Sequence, residues 1–525
     1  MTTPRTQAKS IGLVAMVNVC NAAVGVVQAF LVGMLFGTTS GIEIFFAAAT
    51  FQLSIGKLLQ AGQIAEIFIP IYHQLKESEG PRVAFNLLSV LLNWMLLVAL
   101  VLASVMYVGV NYIAPITVPG FTPERLATFI AMFQSLIPLI MIQVGTGLLS
   151  SLLASEKQFV AQEVARTLAG FISLLMIIAF ATTFDAWVMI GALWSTNTII
   201  LTVFLFFLYR IGYRHHFRLR HDKFSVADIF KKLPSIFAYV CVTQVYVLMI
   251  TAGLSVLPQG SLAVYTYATR LNSRVSGILV RPVSTVFFSH FSSAVAESNA
   301  AIQEIATKAL RLMLILSTLT CAGVIITGLP ALRTLWLSEK FPEAQVLQTY
   351  FAFAALCLMP IISGLGLIYR KINMAHQYTH AQYLMLVVNQ IVNATLAYFM
   401  IPWFGLLGAV GVVMMAPCWS ALTSGILLRV TRPERFAVYD RTTVVQCLTI
   451  FFVSVTPWIL LQHGTNFYSW FPDSRLGNLA ACIFLFVAAS LTMVAVIRWL
   501  KMSEFQSFQL ILANRFNSLR GIQKQ

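Results

Sequence analysis

The sequence predicts an all-α polytopic membrane protein. The 525 residues are 58% hydrophobic and only 10% charged, and their mean hydropathy is +0.82. This much apolar surface exceeds what one soluble core can bury, whereas a bilayer solvates it. Apolar runs recur along the chain, each near the length of about 20 residues that a helix needs to cross ~30 Å of hydrocarbon. We therefore expect about fourteen transmembrane helices.

Loops separate the predicted spans, and no soluble domain interrupts them. The basic loop over residues 211–234 divides six spans from the next six and leaves two at the C-terminal end. A faint ungapped match that sets Phe45 over Tyr265 indicates a parallel six-plus-six repeat. The predicted spans lie near residues 11–36, 42–74, 84–113, 126–154, 158–183, 186–210, 235–257, 262–292, 306–330, 346–369, 378–402, 404–428, 443–462 and 477–499.

These spans divide the chain into five predicted parts. The parts are an N-lobe at 1–211, a basic cytoplasmic loop with an interfacial helix at 212–234, a C-lobe at 235–430, spans thirteen and fourteen at 431–500, and a cytoplasmic tail at 501–525.

Basic residues set the predicted orientation. The chain has 34 Lys and Arg and a net charge of +16. With a cytoplasmic N-terminus, these residues concentrate in the tails and the even-numbered loops, as the positive-inside rule requires. Both termini are therefore predicted to be cytoplasmic, and the charge is assigned to topology and anionic lipid rather than to nucleic acid. The odd-numbered loops contain only Arg125, Arg333, Lys340 and Arg475.

The sequence shows no pattern for catalysis or for a bound metal. It contains no GxxxxGK[ST], GxSxG or HExxH motif. All seven cysteines lie in apolar spans without a CxxC pair, and the histidines of "RHHFRLRHDK" stand in a loop that is better explained as solvated and basic. The chain is therefore predicted to be neither an enzyme nor a metal or cofactor binder.

A stripe of cations in span eight is the clearest functional signal. "YATRLNSRVSGILVRPVS" at 267–284 places Arg270, Arg274 and Arg281 within about 40° of one another around a helix. An arginine at the centre of a span costs roughly 2.5–3.5 kcal/mol, so these side chains are expected to face the protein interior.

Two explanations of the stripe remain open. Each arginine could pair with a carboxylate, but only Glu43, Glu66 and Glu163 lie in or beside the predicted spans. Alternatively, the stripe lines a hydrated cavity for a phosphate, which a guanidinium binds bidentately. The polar series of span two, with Lys57 and Gln60, fits cavity lining and interhelical hydrogen bonding equally well.

Several motifs occur in a fixed order along the chain. "LFGTTSGIEIFFAAATFQLSIGKLLQAGQIAEIFIPIY" forms the first hairpin, "APITVPGF" follows span three, "LLASEKQF" joins spans four and five, "LPQGSLAVYTYATRL" opens span eight, and "VVNQIVNATLAYFMIPWFGLLGAVG" joins spans eleven and twelve. In order and spacing they resemble the MurJ/MviN lipid flippases, a branch of the multidrug/oligosaccharidyl-lipid/polysaccharide (MOP) exporter superfamily.

The resemblance implies two six-helix lobes arranged as a V around a cationic cavity, with spans thirteen and fourteen offering a groove for a polyprenyl tail. It also implies a flippase that moves an undecaprenyl-pyrophosphate-linked saccharide, such as a lipid II-like precursor, across the bacterial cytoplasmic membrane by alternating access. Arg270 matches the Arg of the family's YADRL stretch, Lys57 matches one of its paired span-two arginines, and Glu43 stands at the position of an Asp.

The cations depart from the family's pattern at several positions. Arg274 and Arg281 have no counterpart in it. A related glycan unit, of the exopolysaccharide or O-antigen type, therefore stays open as the cargo beside the peptidoglycan precursor. Where the family has Arg or Asp, this chain has Gln28, Met34, Gly56 and Thr269.

Other functions are weighed by their charge requirements. A cation-coupled multidrug exporter would need buried carboxylates to carry its ion, and a membrane scaffold would need no charged stripe. Membrane lipids and the lipid-linked saccharide are the expected partners, with glycan-synthesis enzymes as further candidates. Coupling to the membrane potential or to a monovalent cation is open. The predicted site is Arg270, Arg274, Arg281 and Lys57, with Glu43, Gln28, Gln60 and Glu66 as polar or coupling positions.

Overall fold

The computed structural model describes residues 4–59, 62–220, 234–276, 299–376, 378–431, 441–464, 467–472 and 474–500. Within these ranges the chain is almost entirely helical, and the β-pairing is limited to one isolated bridge between Ser338 and Phe341. The prediction of an all-α membrane protein is confirmed. Eight helical segments of the described residues are long and apolar enough to cross a membrane, or nine if one bent pair forms a single span. The higher predicted number stays a prediction.

The helices begin and end near the predicted span limits in most cases. Predicted spans two, four and ten are exceptions, because two helices occupy each of them. The described helices are α1 (Pro4–Phe36), α2 (Ser40–Leu59), α3 (Gly62–Glu79), α4 (Pro81–Thr117), α5 (Pro123–Leu136), α6 (Leu139–Ser155), α7 (Phe159–Phe184), α8 (Val188–Arg210), α9 (Pro234–Ser255), α10 (261–276), α11 (Asn299–Trp336), α12 (Glu343–Leu356), α13 (Met359–Ala375), α14 (Thr379–Thr431), α15 (Arg441–Gly464) and α16 (Arg475–Trp499).

Proline explains two interruptions of predicted spans, and glycine explains the break within α14. The axes of α5 and α6 differ by 40°, and Pro138 lies between them, where it lacks the N–H that would continue the helix. Pro360 occupies the first turn of α13, a position that suits its fixed φ. Gly405 interrupts α14 with φ +58°, a left-handed conformation that favours glycine. This break coincides with the hairpin predicted at "MIPWFG".

The helices form two compact units. The first comprises Met1–Arg274, Ser338–Phe341 and His380–Ala416, and the second comprises the remaining residues. In the first, α2 packs on α5 through stacked rings of Phe51 and Phe133, whose centroids are 4.6 Å apart. In the second, α11 packs against both α15 and α16. The lobe limits predicted by counting spans stay a prediction.

Large apolar side chains cover the outer faces of many helices. Val101 of α4, Leu175 of α7 and Leu491 of α16 each expose more than half of their surface. A soluble protein rarely presents such continuous apolar surface, whereas hydrocarbon solvates it. These faces agree with a multi-pass membrane protein.

A charged cluster joins α3 to the turn between α6 and α7. Tyr72 Oη and Lys76 Nζ both donate to Oε1 of Glu156, each at 2.5 Å. Burial acts to raise the pKa of Glu156, but the hydrogen bonds from Lys76 and Tyr72 outweigh it, so the pKa lies below its ordinary value. The cluster fixes the end of α6 against α3.

Candidate anion-binding site

The candidate site lies on α10 of the first unit. Glu43 of α2 holds the N-terminus of this helix. Glu43 Oε1 accepts hydrogen bonds from the backbone N–H groups of Gly260 and Leu262, each at 3.0 Å. Its Oε2 accepts one from Arg125 Nη2 at 2.7 Å. The Glu43 residue is only 2% exposed. One carboxylate therefore caps α10 and joins it to α2 and to the first turn of α5.

Tyr267 fixes α10 again, two turns after the cap. Its hydroxyl donates to the backbone oxygen of Gly37 at 2.8 Å, just after the end of α1. Its ring meets that of Phe46 edge to face, with centroids 5.2 Å apart. The side chain is fully buried. These contacts fix α10 against α2 and the end of α1 at the turn that precedes Arg270.

Arg270 lies over an aromatic ring rather than beside a carboxylate. Its Cζ is 4.3 Å from the centroid of Phe46, a cation–π contact, and the residue is half-buried. Within the described ranges it forms no ion pair with Asp or Glu. A guanidinium stacked in this way keeps its planar N–H edge for bidentate hydrogen bonds.

Arg274 lies one turn further along α10, and its guanidinium packs against the backbone of α1 at Gly25. A Cβ on Gly25 would come within 2.5 Å of Arg274 Nη1 and 2.6 Å of Cζ. The Arg274 residue as a whole is exposed. Glycine at position 25 therefore leaves the space that this guanidinium occupies.

Carboxylates inside the predicted spans are already paired where the structure describes them. Glu43 pairs with Arg125, and Glu163 pairs with Arg166 at 2.7 Å within α7. Structural pairing thus accounts for Arg166 but leaves Arg270 without a carboxylate among the described residues. The side chain of Glu66 lies outside what is described.

The other predicted site residues occupy different surroundings. Gln28 Nε2 donates to Ser173 Oγ at 3.1 Å, which joins α1 to α7. Lys57 is exposed in the last turn of α2 and forms no hydrogen bond or ion pair with the described part of the chain. Gln60 and Arg281 lie outside the described residues. The structure thus places Arg270 and Arg274 on the helix that Glu43 caps.

Sequence reasoning missed several residues that build this site. Arg125 was assigned to a loop, yet it neutralises Glu43 from 82 positions away. Phe46 and Gly25 read as ordinary apolar and small residues of their spans. No periodicity links these positions, because their partners come from other helices.

Over the described ranges, no three His, Cys, Asp or Glu side chains converge as metal ligands do. The fold defines a class, the multi-pass helical membrane proteins. The family model described as "Lipid II flippase MurJ" matches residues 32–480. The chain therefore belongs to the MurJ family. Membership of a family of lipid flippases agrees with the prediction of a transport protein rather than an enzyme.

Curated relatives give the same assignment at low identity. The chain is 23% identical over 299 residues to the "Probable lipid II flippase MurJ" of Buchnera aphidicola subsp. Baizongia pistaciae (strain Bp), covering 55% of this chain and 58% of that protein. It is 24% identical over 342 residues to the protein of the same description from the subspecies Acyrthosiphon pisum (strain APS), covering 64% of this chain and 67% of that one. The first match thus spans less than two thirds of its relative's length.

Solved structures share the fold. A structure titled "Lipid II flippase MurJ, inward closed conformation" superposes with a TM-score of 0.74 at 17% identity, covering 93% of this chain and all of that one. An inward-facing multidrug resistance MATE family transporter of the MOP superfamily superposes with a TM-score of 0.62 at 14% identity, covering 79% and 95% of the two chains. A MOP superfamily transporter from Pyrococcus furiosus superposes with a TM-score of 0.57 at 15% identity, covering 81% of this chain and 96% of that one. These likenesses confirm the predicted superfamily fold.

Proposed function

We propose that this chain moves an undecaprenyl-pyrophosphate-linked saccharide from the inner to the outer leaflet of a bacterial cytoplasmic membrane by alternating access. The observation that carries the proposal is Arg270, a cation of predicted span eight that stacks on Phe46 and has no carboxylate partner among the described residues. An interior cation of this kind is more often functional than structural. Membership of the MurJ family agrees with a lipid-linked cargo.

Arg270 and Arg274 suit a pyrophosphate by their spacing. They are four residues apart on α10, which corresponds to about 6 Å along the helix axis and to nearly the same face. Each planar fork offers paired N–H donors to phosphate oxygens. In this proposal the two arginines bind the pyrophosphate, and Arg281 and Lys57 stay predicted members of the site.

Glu43 acts as a positioning residue in this proposal. Its carboxylate is occupied by two backbone N–H groups and by Arg125. A carboxylate held in this way sets the start of the helix that carries the arginines, and its occupied oxygens argue against a role as the ion carrier of a drug exporter.

The membrane potential favours the outward direction. A pyrophosphate that leaves a negative-inside cell gains about 2.3 kcal/mol per elementary charge per 100 mV. We therefore favour the potential over a bound cation as the energy source. The polyprenyl tail is assigned to α15 and α16, where Phe452 and Phe486 present exposed rings.

The cargo is the part of the proposal that the family leaves open. Gln28, Gly56 and Thr269 replace charged residues of the family pattern, and Gln28 bonds to Ser173 instead of presenting a cation. A surface-glycan unit on the same carrier lipid is therefore the second cargo to test beside lipid II.

Arginine substitutions test the proposal in cells depleted of the wild-type protein. The assay follows a labelled undecaprenyl-pyrophosphate saccharide as it becomes accessible to an added external enzyme, once with the peptidoglycan precursor and once with a surface-glycan unit. Arg270→Ala should abolish externalisation of the true cargo while expression stays near normal, because loss of an intramembrane cation relieves an insertion cost. Arg270→Lys should restore only part, because lysine keeps the charge but loses the planar fork.

The matched control is Lys308→Ala, which removes a cation from an exposed pair with Glu304 on α11. It should leave externalisation unchanged. Normal externalisation of both cargos by the Arg270→Ala, Arg274→Ala double variant would refute the anion-site mechanism. Loss of expression in both single variants would favour structural pairing instead.

A further inference from the structure

The loop after α8, residues 211–220, is held against α4 by that helix's side chains. Asn93 Nδ2 donates to the backbone oxygens of His216 and Arg218 at 3.1 and 2.9 Å. Trp94 Nε1 donates to the backbone oxygen of Leu219 at 2.8 Å. A basic loop of this kind is usually expected to be loose, but three backbone carbonyls here have fixed partners.

This loop lies where the apolar outer surface of the first unit ends. Beyond Trp94, the outer face of α4 exposes Leu97 and Val98, and the last turns of α8 expose Phe206 and Tyr209. Exposed apolar faces of this kind contact hydrocarbon, and Trp and Tyr concentrate at the level of the lipid head groups. Because Trp94 bonds directly to the loop, residues 211–220 are placed at the membrane interface.

The exposed side chains of the loop combine permanent positive charge with one aromatic ring. Arg214, Arg218 and Arg220 are exposed, and Phe217 between them is 83% exposed. Arg214 also lies over the ring of Tyr209, with its Cζ 3.6 Å from the centroid. No Asp or Glu occurs between residues 186 and 221, so the neighbouring sequence offers no compensating carboxylate.

We propose that loop 211–220, together with Trp94, binds the head groups of anionic phospholipids. The three arginines contact the lipid phosphates, and Phe217 inserts beside them at the boundary of head group and acyl chain. Basic residues next to an interfacial aromatic favour an anionic leaflet over a zwitterionic one. Because α4 fixes the loop backbone, the site is formed before lipid arrives, and little ordering entropy is lost on binding.

Quenching of Trp94 by brominated lipid tests this site in the full-length reconstituted protein. The probes are brominated phosphatidylglycerol and brominated phosphatidylcholine, each diluted into phosphatidylcholine bilayers. The contribution of Trp94 is the difference between the wild type and Trp94→Phe. Each arginine near an anionic surface raises the affinity for it roughly fivefold. We therefore expect brominated phosphatidylglycerol to reach half-quenching at a mole fraction at least tenfold lower than brominated phosphatidylcholine does.

Two variants and a control identify the groups responsible. The triple variant Arg214→Gln, Arg218→Gln, Arg220→Gln should lose the preference for phosphatidylglycerol. Phe217→Ser should weaken the preference for phosphatidylglycerol severalfold. Because it changes only one exposed side chain, it still tests the site if the triple variant misfolds. Lys308→Gln, which removes a cation elsewhere, should keep the full preference.

Several results would overturn the site. Equal quenching by both lipids in the wild type would do so, as would a preference that survives both loop variants. Excess inorganic phosphate, compared with chloride at the same ionic strength, should leave the preference in place. If the preference for phosphatidylglycerol is lost in the presence of inorganic phosphate, the loop binds free phosphate rather than a lipid head group.

Discussion

Replacing Glu43 with glutamine tests how firmly α10 is held in place. The substitution preserves the shape of the side chain, and its amide oxygen can still accept the N–H groups of Gly260 and Leu262. What it removes is the negative charge opposite Arg125, whose Nη2 lies 2.7 Å from Oε2. The two side chains are 3% and 19% exposed, so this pair is largely withdrawn from water.

The expected loss of stability follows from that burial. Removing one partner of a buried ion pair costs about 3–5 kcal/mol, because the other charge is left uncompensated. Arg125 keeps some access to water and lies over the ring of Phe121, with its Cζ 4.2 Å from the centroid. Both features lessen the penalty, so we expect a loss of about 3 kcal/mol in the free energy of unfolding.

The measurement is reversible unfolding in mixed micelles, with Glu163→Gln as the matched control. Glu163 also pairs with an arginine at 2.7 Å, but Arg166 is 46% exposed, so that loss should be only about 0.5 kcal/mol. In a double-mutant cycle, adding Arg125→Gln to Glu43→Gln should cost little more than Glu43→Gln alone. Equal effects of Glu43→Gln and Glu163→Gln, or additive effects of the two changes in the cycle, would refute the reasoning.

Three further outcomes are expected. Gly25→Ala should displace the guanidinium of Arg274 and reduce transport in the externalisation assay, whereas Gly145→Ala, whose new Cβ meets nothing within 4 Å, should not. Glu156 has a folded pKa below its unfolded value of about 4.3, so its stabilisation is complete above that pH and is lost as pH falls through the folded pKa. Thermal unfolding in detergent should therefore show a steeper acid loss for the wild type than for Glu156→Gln. Gly405→Ala should lower the same melting temperature, because a residue with a Cβ rarely adopts φ +58° with ψ −134° and pays about 1–3 kcal/mol there. An unchanged melting temperature would contradict this.

Much of the fold follows from the sequence because hydrocarbon acts on each stretch of chain separately. Apolar length alone placed α7, α9 and α16 within a few residues of their observed limits. The hairpin predicted at "MIPWFG" coincides with the break at Gly405, and the reason is again local, because glycine tolerates a positive φ. The division of predicted span two between α2 and α3 was not anticipated from composition.

The site was predictable in part. Helical phase was enough to place Arg270 and Arg274 on one face, because that relation lies within a single helix. The order of motifs along the chain indicated the MurJ family, which the family model confirms. The sequence did not predict which arginines lack a carboxylate partner, because the number of acidic residues does not show which arginine each of them pairs with.

The sequence by itself determined a helical membrane protein, its family and a stripe of arginines along one face of predicted span eight. Only the tertiary structure decided that Glu43 caps α10 and pairs with Arg125, and that Tyr267 reaches Gly37 across 230 positions. It likewise decided that Gly25 leaves room for Arg274. The physical reason is that burial in lipid depends on local composition, whereas a partner across the bundle depends on how each helix is rotated and packed against its neighbours.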